Sequence, residues 1–273
     1  MEYHDIRFEL RPEGVAVVTL DRPEHRNTFS GRMGEELSHA YKRCDEDDAI
    51  RVVVLTGAGD SFCAGADMTS GADTFAAPSV EHFSAMPLTM RACDVRKPVL
   101  AALNGHAIGI GLTLALQCDL RWVADRARYG IVQVRRGVMP DCGAHWILPR
   151  LVGWATAADL LLTGRKFDGQ EAVSLGLANR ALPSSEVLPA ALETARDMAV
   201  HAAPLSLGMT KKLLWSGADL PLGEVEAFET ALHHHLMGHS DAAEGVLAFL
   251  ERRKPAWSGS ISREWPSWPQ RRK

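Results

Sequence analysis

Cysteine is sparse and unpatterned: five residues, at positions 44, 63, 93, 118 and 142, with no CxxC among them. An odd number at wide spacing argues against a disulfide framework or a zinc site, and favours free thiols in a reducing cytoplasm. Long hydrophobic runs are missing too; no stretch of about 18 apolar residues occurs, so no segment reads as a membrane span. The opening stretch MEYHDIRFEL lacks the basic-then-apolar grammar of a signal peptide. There is no excess of positive charge: 30 Lys and Arg stand against 34 Asp and Glu, a net charge of -4. Apart from the closing RRK there is no block of like charge, which gives no reason to expect nucleic acid or a membrane surface as a partner. Neither GxGxxG nor GxxxxGK[ST] is present, so the common dinucleotide and P-loop signatures are excluded.

What remains is a chain of 273 residues, 46% hydrophobic and 23% charged. That is the balance of a soluble globular protein with a sizeable core, either one large domain or a domain with an appendage. Strands and helices alternate. VAVVTL (15–20) reads as a strand, and 31–46 as a helix with Met33, Leu37, Ala40, Tyr41 and Cys44 on one stripe. RVVVLTG (51–57) is a continuous apolar run closed by glycine, as in a buried parallel strand. KPVLAALNG (97–105) gives a third strand, GIGLTLALQCD (109–119) a helix entered through glycine, and LRWVAD (120–125) a fourth strand. Residues 69–90 read as a loop with short helical pieces. After Pro140 helical periods take over, at 142–150, 155–163, 168–176, 184–203, 205–215, 221–238 and 241–252. The pattern predicts an α/β fold, with a core over 1–195 and a helical region and tail over 196–273. The closing WSGSISREWPSWPQRRK reads as a loose tail.

Two small-residue turns share one grammar. GAGDSFCAGADM (57–68) follows the strand at 51–57, and NGHAIGIGLTL follows the strand at 97–103. A helix N-terminus leaves backbone N–H groups unpaired and carries partial positive charge. Two such turns side by side could aim two amides at one oxygen, and small residues would let the backbone itself reach a ligand. Such an oxyanion hole contributes about 3 kcal/mol per donor where negative charge develops on a carbonyl. Ordinary α/β turns, with Gly and Ala only permitting close packing, are the alternative.

Over nearly its full length the chain resembles the crotonase (enoyl-CoA hydratase/isomerase) superfamily. The resemblance rests on DRPEHRNTFS (21–30), GAGDSFCAGADM (57–68), KPVLAALNGHAIGIGLTLALQCDLR (97–121), PDCGAHWILPRLVG (140–153) and LTGRKFDGQEAVSLGLANR (162–180), in order and at family spacing. It implies a ββα superhelical core, a C-terminal helical trimerisation region, trimers or dimers of trimers, and acyl-CoA thioester substrates. No tightly bound cofactor is implied; coenzyme A enters as part of the substrate. By motif position the thioester oxygen sits between the amides of Ala66 and Ile110. The segment Ala64, Gly65, Ala66, Asp67 and Met68 would cradle the adenine and pantetheine. Arg26 matches a basic position that contacts CoA phosphate in relatives, with a solvated loop arginine as the alternative.

The departures from the family pattern narrow the chemistry. Hydratases of the family use two glutamates; here those positions are Thr113 and Gln133, and neither can act as a carboxylate base at neutral pH. Loss of one general acid or base costs roughly 10²–10⁴ in rate, so two-glutamate hydration is not expected. Asp141 remains. It stands where the resemblance places the single carboxylate of certain Δ3,Δ2-enoyl-CoA isomerases, of the ring-epoxide isomerase of phenylacetate breakdown and of 4-chlorobenzoyl-CoA dehalogenase. It also follows a proline and precedes a helix, so an N-cap is the alternative. The expected function is double-bond isomerisation through a stabilised enolate. A non-catalytic acyl-CoA-binding protein, or a hydratase or hydrolase using Asp141, stands as the alternative.

Other candidates carry less. HHHLMGH (233–239) puts His235 and His239 one helical turn apart but brings no matching carboxylate or cysteine. His145 could aid proton transfer, and Trp146 reads as packing. Cys63 and Cys142 flank the site without a paired histidine. Asp119 reads as structural, and Asp67 also as a cap. Met68, Phe75, Met86 and Met90 could line an acyl pocket or belong to the core. Lys211 and Lys212 could approach CoA phosphates across a subunit boundary or form a solvated face. Leu213, Leu214, Val225, Phe228, Leu232, Leu236, Val246 and Phe249 form apolar stripes that one core hardly covers, which agrees with a homotrimer or homohexamer.

Overall fold

The computed structural model describes residues 1–76, 79, 85 and 88–268. Its spine is a six-stranded sheet ordered β1 (Ile6–Arg11), β2 (Val15–Leu20), β3 (Val52–Gly57), β5 (Val99–Leu103), β7 (Leu120–Ala124) and β9 (Arg180–Leu182). The first pair is antiparallel and every later pair parallel. All six residues of β3 and all five of β5 are buried, as their unbroken apolar runs predict for strands covered on both faces. On one face lies α5 (Ser184–His201), packed across β3, β5 and β7. Helix α1 (Gly31–Glu46) packs on β1 and β2, and is capped by Ser30, whose hydroxyl accepts from Met33 N at 3.0 Å.

A second, three-stranded parallel sheet carries the functional geometry. It is built from β4 (Ser61–Cys63), β6 (His106–Ile108) and β8 (Tyr129–Gly130). Each long strand hands the chain to a short one: β3 to β4, β5 to β6 and then α2 (Ile110–Leu116), β7 to β8 and then α3 (Ala144–Thr163). This strand–strand–helix repeat is the expected ββα core. Close backbone approach between the layers demands glycine. A Cβ on Gly105 would meet Asp60 O at 1.9 Å, and one on Gly57 would meet Ser61 O at 2.4 Å.

The helices expected at 142–150 and 155–163 are two arms of α3, broken at Gly153, whose φ of 76° and ψ of 164° leave the helical region. Beyond α4 (Gly169–Ser174) and α5 come α6 (Pro204–Gly217), α7 (Leu222–Met237), α8 (Ser240–Glu251) and the short α9 (Ile261–Glu264). Leu205, Met209, Leu232 and Ile261 form a small second core there.

The tail corrects the expectation of a loose end. Trp257 Nε1 donates to Val200 O at 3.0 Å, and the Ser258 and Gly259 amides donate to the Asp241 carboxylate. Asp48 receives the hydroxyls of Ser260 and Ser262 and the Ser262 amide, which hold its pKa down to about 2 against the upward pull of burial. Arg96 forks onto Asp45, donates to Ile261 O and lies over the Trp265 ring. Residues 257–268 are therefore a strap, fastened by these polar groups and by Ile261, Trp265 and Trp268 in the second core; 269–273 lie outside the described residues.

Candidate active site

The C-terminal ends of β4, β6 and β8 point the same way, and the segments leaving them meet around a cavity of about 640 Å³. Outside the ends of parallel strands is where ligands of open α/β sheets are commonly held. The first segment, Ala64 to Met68, is pinned to the loop after β2. Ala64 N donates to Arg26 O, Phe29 N to Gly65 O, and Asp67 N to Phe29 O. This parallel bridge uses the Gly65 carbonyl and the Asp67 N–H on either side of Ala66 and leaves the Ala66 N–H without a partner among the described residues. Gly65 has φ of 109°, and a Cβ there would sit 3.2 Å from Ile108 O.

The second segment enters α2 through Gly109, whose φ of 56° and ψ of -124° suit only glycine. Gly109 O accepts from Leu112 and Thr113, while Ile110 N, first in the helix, has no carbonyl within the helix to meet. A Cβ on Gly111 would lie 2.3 Å from Cys63 O, so the two small-residue turns press directly against each other. These glycines permit close packing, and the packing brings Ala66 and Ile110 to one cavity wall.

The third element carries the acid. Asp141 lines the cavity and is the one carboxylate that does so among the described residues. The N-cap of α3 is Gly143, with no side-chain cap, and the Asp141 backbone carbonyl rather than its carboxylate accepts from Ala144 N. The capping alternative is therefore set aside. Cys142 at φ 53° and Gly143 at φ 78° are consecutive left-handed residues that turn the chain from Asp141 into the helix. Burial pushes the Asp141 carboxyl above its ordinary value, against the pull of hydrogen bonds from Thr113, its own amide, Cys142 and Gln133. Thr113 Oγ1 lies 3.3 Å and Gln133 Nε2 3.5 Å from Asp141 Oδ1. The two positions that lack the family glutamates thus converge on the one remaining acid, a relation invisible in sequence, where they stand 28 and 8 residues from it.

Of the other candidates, Arg26, Ala64, Gly65, Ala66, Met68, Phe75 and Ile110 line the same cavity. Asp67 does not: it pairs with Arg22 at 2.8 Å and accepts from Thr69 N, and these partners hold its pKa near 2 against the upward pull of burial. Met90 packs against the main core, and Met86 falls outside the described residues. His145 is exposed and does not line the cavity, and Trp146 stacks on Trp215 with Arg150 over its ring, as packing. Burial pushes the Cys63 thiol up to about 11, and burial followed by the Asp141 charge pushes Cys142 up to about 12, so both stay protonated at neutral pH.

Lys211 fits neither a phosphate contact nor a solvated face. It is buried, pairs with Asp119 at 2.8 Å and donates to Ala92 O and Lys97 O. Asp119 also accepts from Val99 N and Trp215 Nε1, a structural role as expected. His239 accepts from Asp241 N as the cap of α8. Missed in sequence were Arg128, Arg136 and Lys166, which line the cavity with Arg26. They come from three separate stretches, each of which reads alone as a solvated loop charge.

The enoyl-CoA hydratase/isomerase family model matches residues 11–260, and the chain belongs to that family, within the crotonase superfamily. A probable enoyl-CoA hydratase of Mycobacterium tuberculosis is 35% identical over 259 residues, covering 94% of this chain and 99% of the relative. The 1,2-epoxyphenylacetyl-CoA isomerase of Escherichia coli is 35% identical over 259 residues, covering 90% and 96%. The crystal structure of a probable enoyl-CoA hydratase/isomerase from Mycobacterium abscessus superposes with a TM-score of 0.89 at 53% identity, covering 93% of this chain and 99% of that one.

Proposed function

We propose that the protein isomerises the double bond of an enoyl-CoA thioester, with Asp141 as its single base. The observation that carries this reading is that Asp141 is the lone carboxylate on the cavity wall among the described residues. A 3-enoyl-CoA would place its thioester oxygen between the Ala66 and Ile110 amides. Asp141 takes a proton from C2, the electrons move into the thioester, and the enolate oxygen meets the two N–H donors at about 3 kcal/mol each. The protonated Asp141 then returns the proton at C4, leaving the double bond between C2 and C3. No atom changes hands beyond that proton and no oxidation state changes, so the step calls for no redox partner.

An apolar, desolvated setting suits the task. A carboxyl raised above its ordinary value is a stronger base and is more readily held protonated between the two transfers. The alternative of hydration finds support in the names of relatives, including the Mycobacterium tuberculosis protein. It would require a water held opposite Asp141, with neither Thr113 nor Gln133 able to take its proton.

The CoA moiety would lie along Ala64, Gly65, Ala66 and Met68, with Asp67 bracing the segment through Arg22, and with Arg26 among the cations at the cavity. For assembly, Leu214, Val246, Phe249 and Leu250 are 73%, 59%, 81% and 68% exposed, and their burial between copies would support the homotrimer or homohexamer. By contrast Phe228 and Leu232 of the expected stripe are buried within the chain. Five free thiols suit a reducing cytoplasm.

The test is a spectrophotometric assay for conjugation of a 3-enoyl-CoA. Formation of the 2-enoyl product at a rate proportional to protein supports the reading. An inert wild type across short, long and cyclic 3-enoyl thioesters overturns it and favours the binding protein.

A further inference from the structure

We infer that Thr113 and Gln133 are positioning residues for Asp141: both approach Oδ1 as donors, and together they fix the carboxyl group so that Oδ2 is the oxygen that meets the acyl chain. The inference rests on the reading of Asp141 as the base. Thr113 is fully buried on α2, and its single hydroxyl proton has two acceptors, Asp141 Oδ1 at 3.3 Å and Ile110 O at 3.2 Å. A helical threonine commonly bonds back to a carbonyl of the preceding turn. An ionised carboxylate is the better acceptor, so the proton goes to Asp141 when that group is charged. When Asp141 holds the substrate proton, the hydroxyl can return to Ile110 O. The hydroxyl thus alternates with the state of the base, and its second acceptor is the carbonyl of Ile110, the residue whose amide would face the enolate.

Gln133 supplies the second donor from a separate element. It opens the 3-10 turn Gln133–Arg136, is 9% exposed, and packs against Gly109, where a Cβ would lie 3.7 Å from its side-chain amide carbon. The absence of a side chain at Gly109 therefore serves the amide of Gln133 as well as the turn. Both contacts to Oδ1 are long, as hydrogen bonds to a catalytic group often are before substrate binds. The two donors oppose the effect of burial on the carboxyl. Other groups around the site are the Cys142 thiol beside it, and Arg26, His106, Arg128, Arg136 and Lys166 on the cavity wall. Because several other ionisable groups share the cavity wall, the state of Asp141 is read directly and not from a rate profile alone.

The experiment is a carboxyl-carbon NMR titration of the free, full-length protein labelled at aspartate, with the Asp141 signal assigned by its loss in Asp141→Asn. Wild type is compared with Thr113→Val, Thr113→Ser and Gln133→Leu, each checked for a cooperative melt. The Asp141 midpoint should move to higher pH in Thr113→Val and in Gln133→Leu, and stay in place in Thr113→Ser, which keeps the hydroxyl. With a 3-enoyl-CoA, kcat should fall about tenfold in the first two while KM stays within about twofold, as expected when orientation of the base is lost but binding is not. Thr113 and Gln133 lie on separate elements, so a fold defect in one variant leaves the other to decide. An unmoved Asp141 midpoint in every folded variant lacking a donor overturns the positioning role, whatever the turnover. The titration needs no substrate, so its failure is distinct from failure of the isomerase reading, which shows as an active Asp141→Asn.

Discussion

Replacing Asp141 with Asn separates chemistry from structure at one atom. The amide keeps the size of the carboxylate and an oxygen that accepts from Thr113 and Gln133, while Gln133 Oε1, buried without a partner among the described residues, offers an acceptor on the neighbouring amide. The base is gone, and with it both the removal of the C2 proton and its return at C4. Turnover of a 3-enoyl-CoA should fall by at least about 10²-fold. Binding of the thioester should change little, since the amides of Ala66 and Ile110 are untouched. Stability should not fall. The wild-type carboxyl is raised by burial, so the contribution of its protonated form is present at low pH and is lost as pH rises through the folded-state value. Asn carries no charge at any pH, so the melting temperature of Asp141→Asn should match or exceed wild type at neutral pH, and the gap should close on acidification. The assays are the conjugation rate, calorimetric binding of acyl-CoA, and melting curves from acid to neutral pH. Full activity in Asp141→Asn, or a melting temperature lowered most at neutral pH, would refute the reasoning.

Three further outcomes follow from the packing around the site. Gly111→Ala forces a Cβ against Cys63 O at 2.3 Å, so it should displace the start of α2 and lower both stability and turnover, measured by melting and by the conjugation assay. Lys211→Met leaves Asp119 without its buried cation and should cost about 3 kcal/mol in denaturant unfolding, with acyl-CoA affinity unchanged in the folded fraction. Asp48→Asn removes a carboxylate held near 2 by the strap serines. The wild-type stability from this group is present above its unfolded value and lost as pH falls toward 2, so the variant should lose stability at neutral pH and show a weaker acid transition.

The regular frame was legible because its signals are long. The unbroken apolar run of β3 and the stripe of α1 announce a buried strand and an amphipathic helix, and both lie within a residue of where the sequence puts them. The short strands β4, β6, β8 and β9 escaped notice, since two or three residues carry no period, yet β4, β6 and β8 set the cavity; the edge strand β1, half of it exposed, was missed as well. The strap after α8 was misread for a related reason: much of its order comes from serine hydroxyls meeting Asp48 and Asp241, beside the few apolar anchors around Ile261, and such polar latches look like coil in sequence. At the site, the two glycine turns were readable from local grammar, whereas Asp141 stood out only against the family pattern. The Thr113–Asp141–Gln133 cluster and the cations Arg128, Arg136 and Lys166 depend on long-range proximity, which no local spacing encodes.

The central claim is that one carboxylate takes the proton from C2 and delivers it to C4. A 3-enoyl-CoA carrying deuterium at C2, turned over in ordinary water, tests this most directly, with the product examined by mass spectrometry and NMR. The account predicts a 2-enoyl-CoA with part of the label transferred within the molecule to C4, and no transfer in Asp141→Asn. A product protonated at C4 wholly from solvent, or a 3-hydroxyacyl product without the isomer, would contradict it.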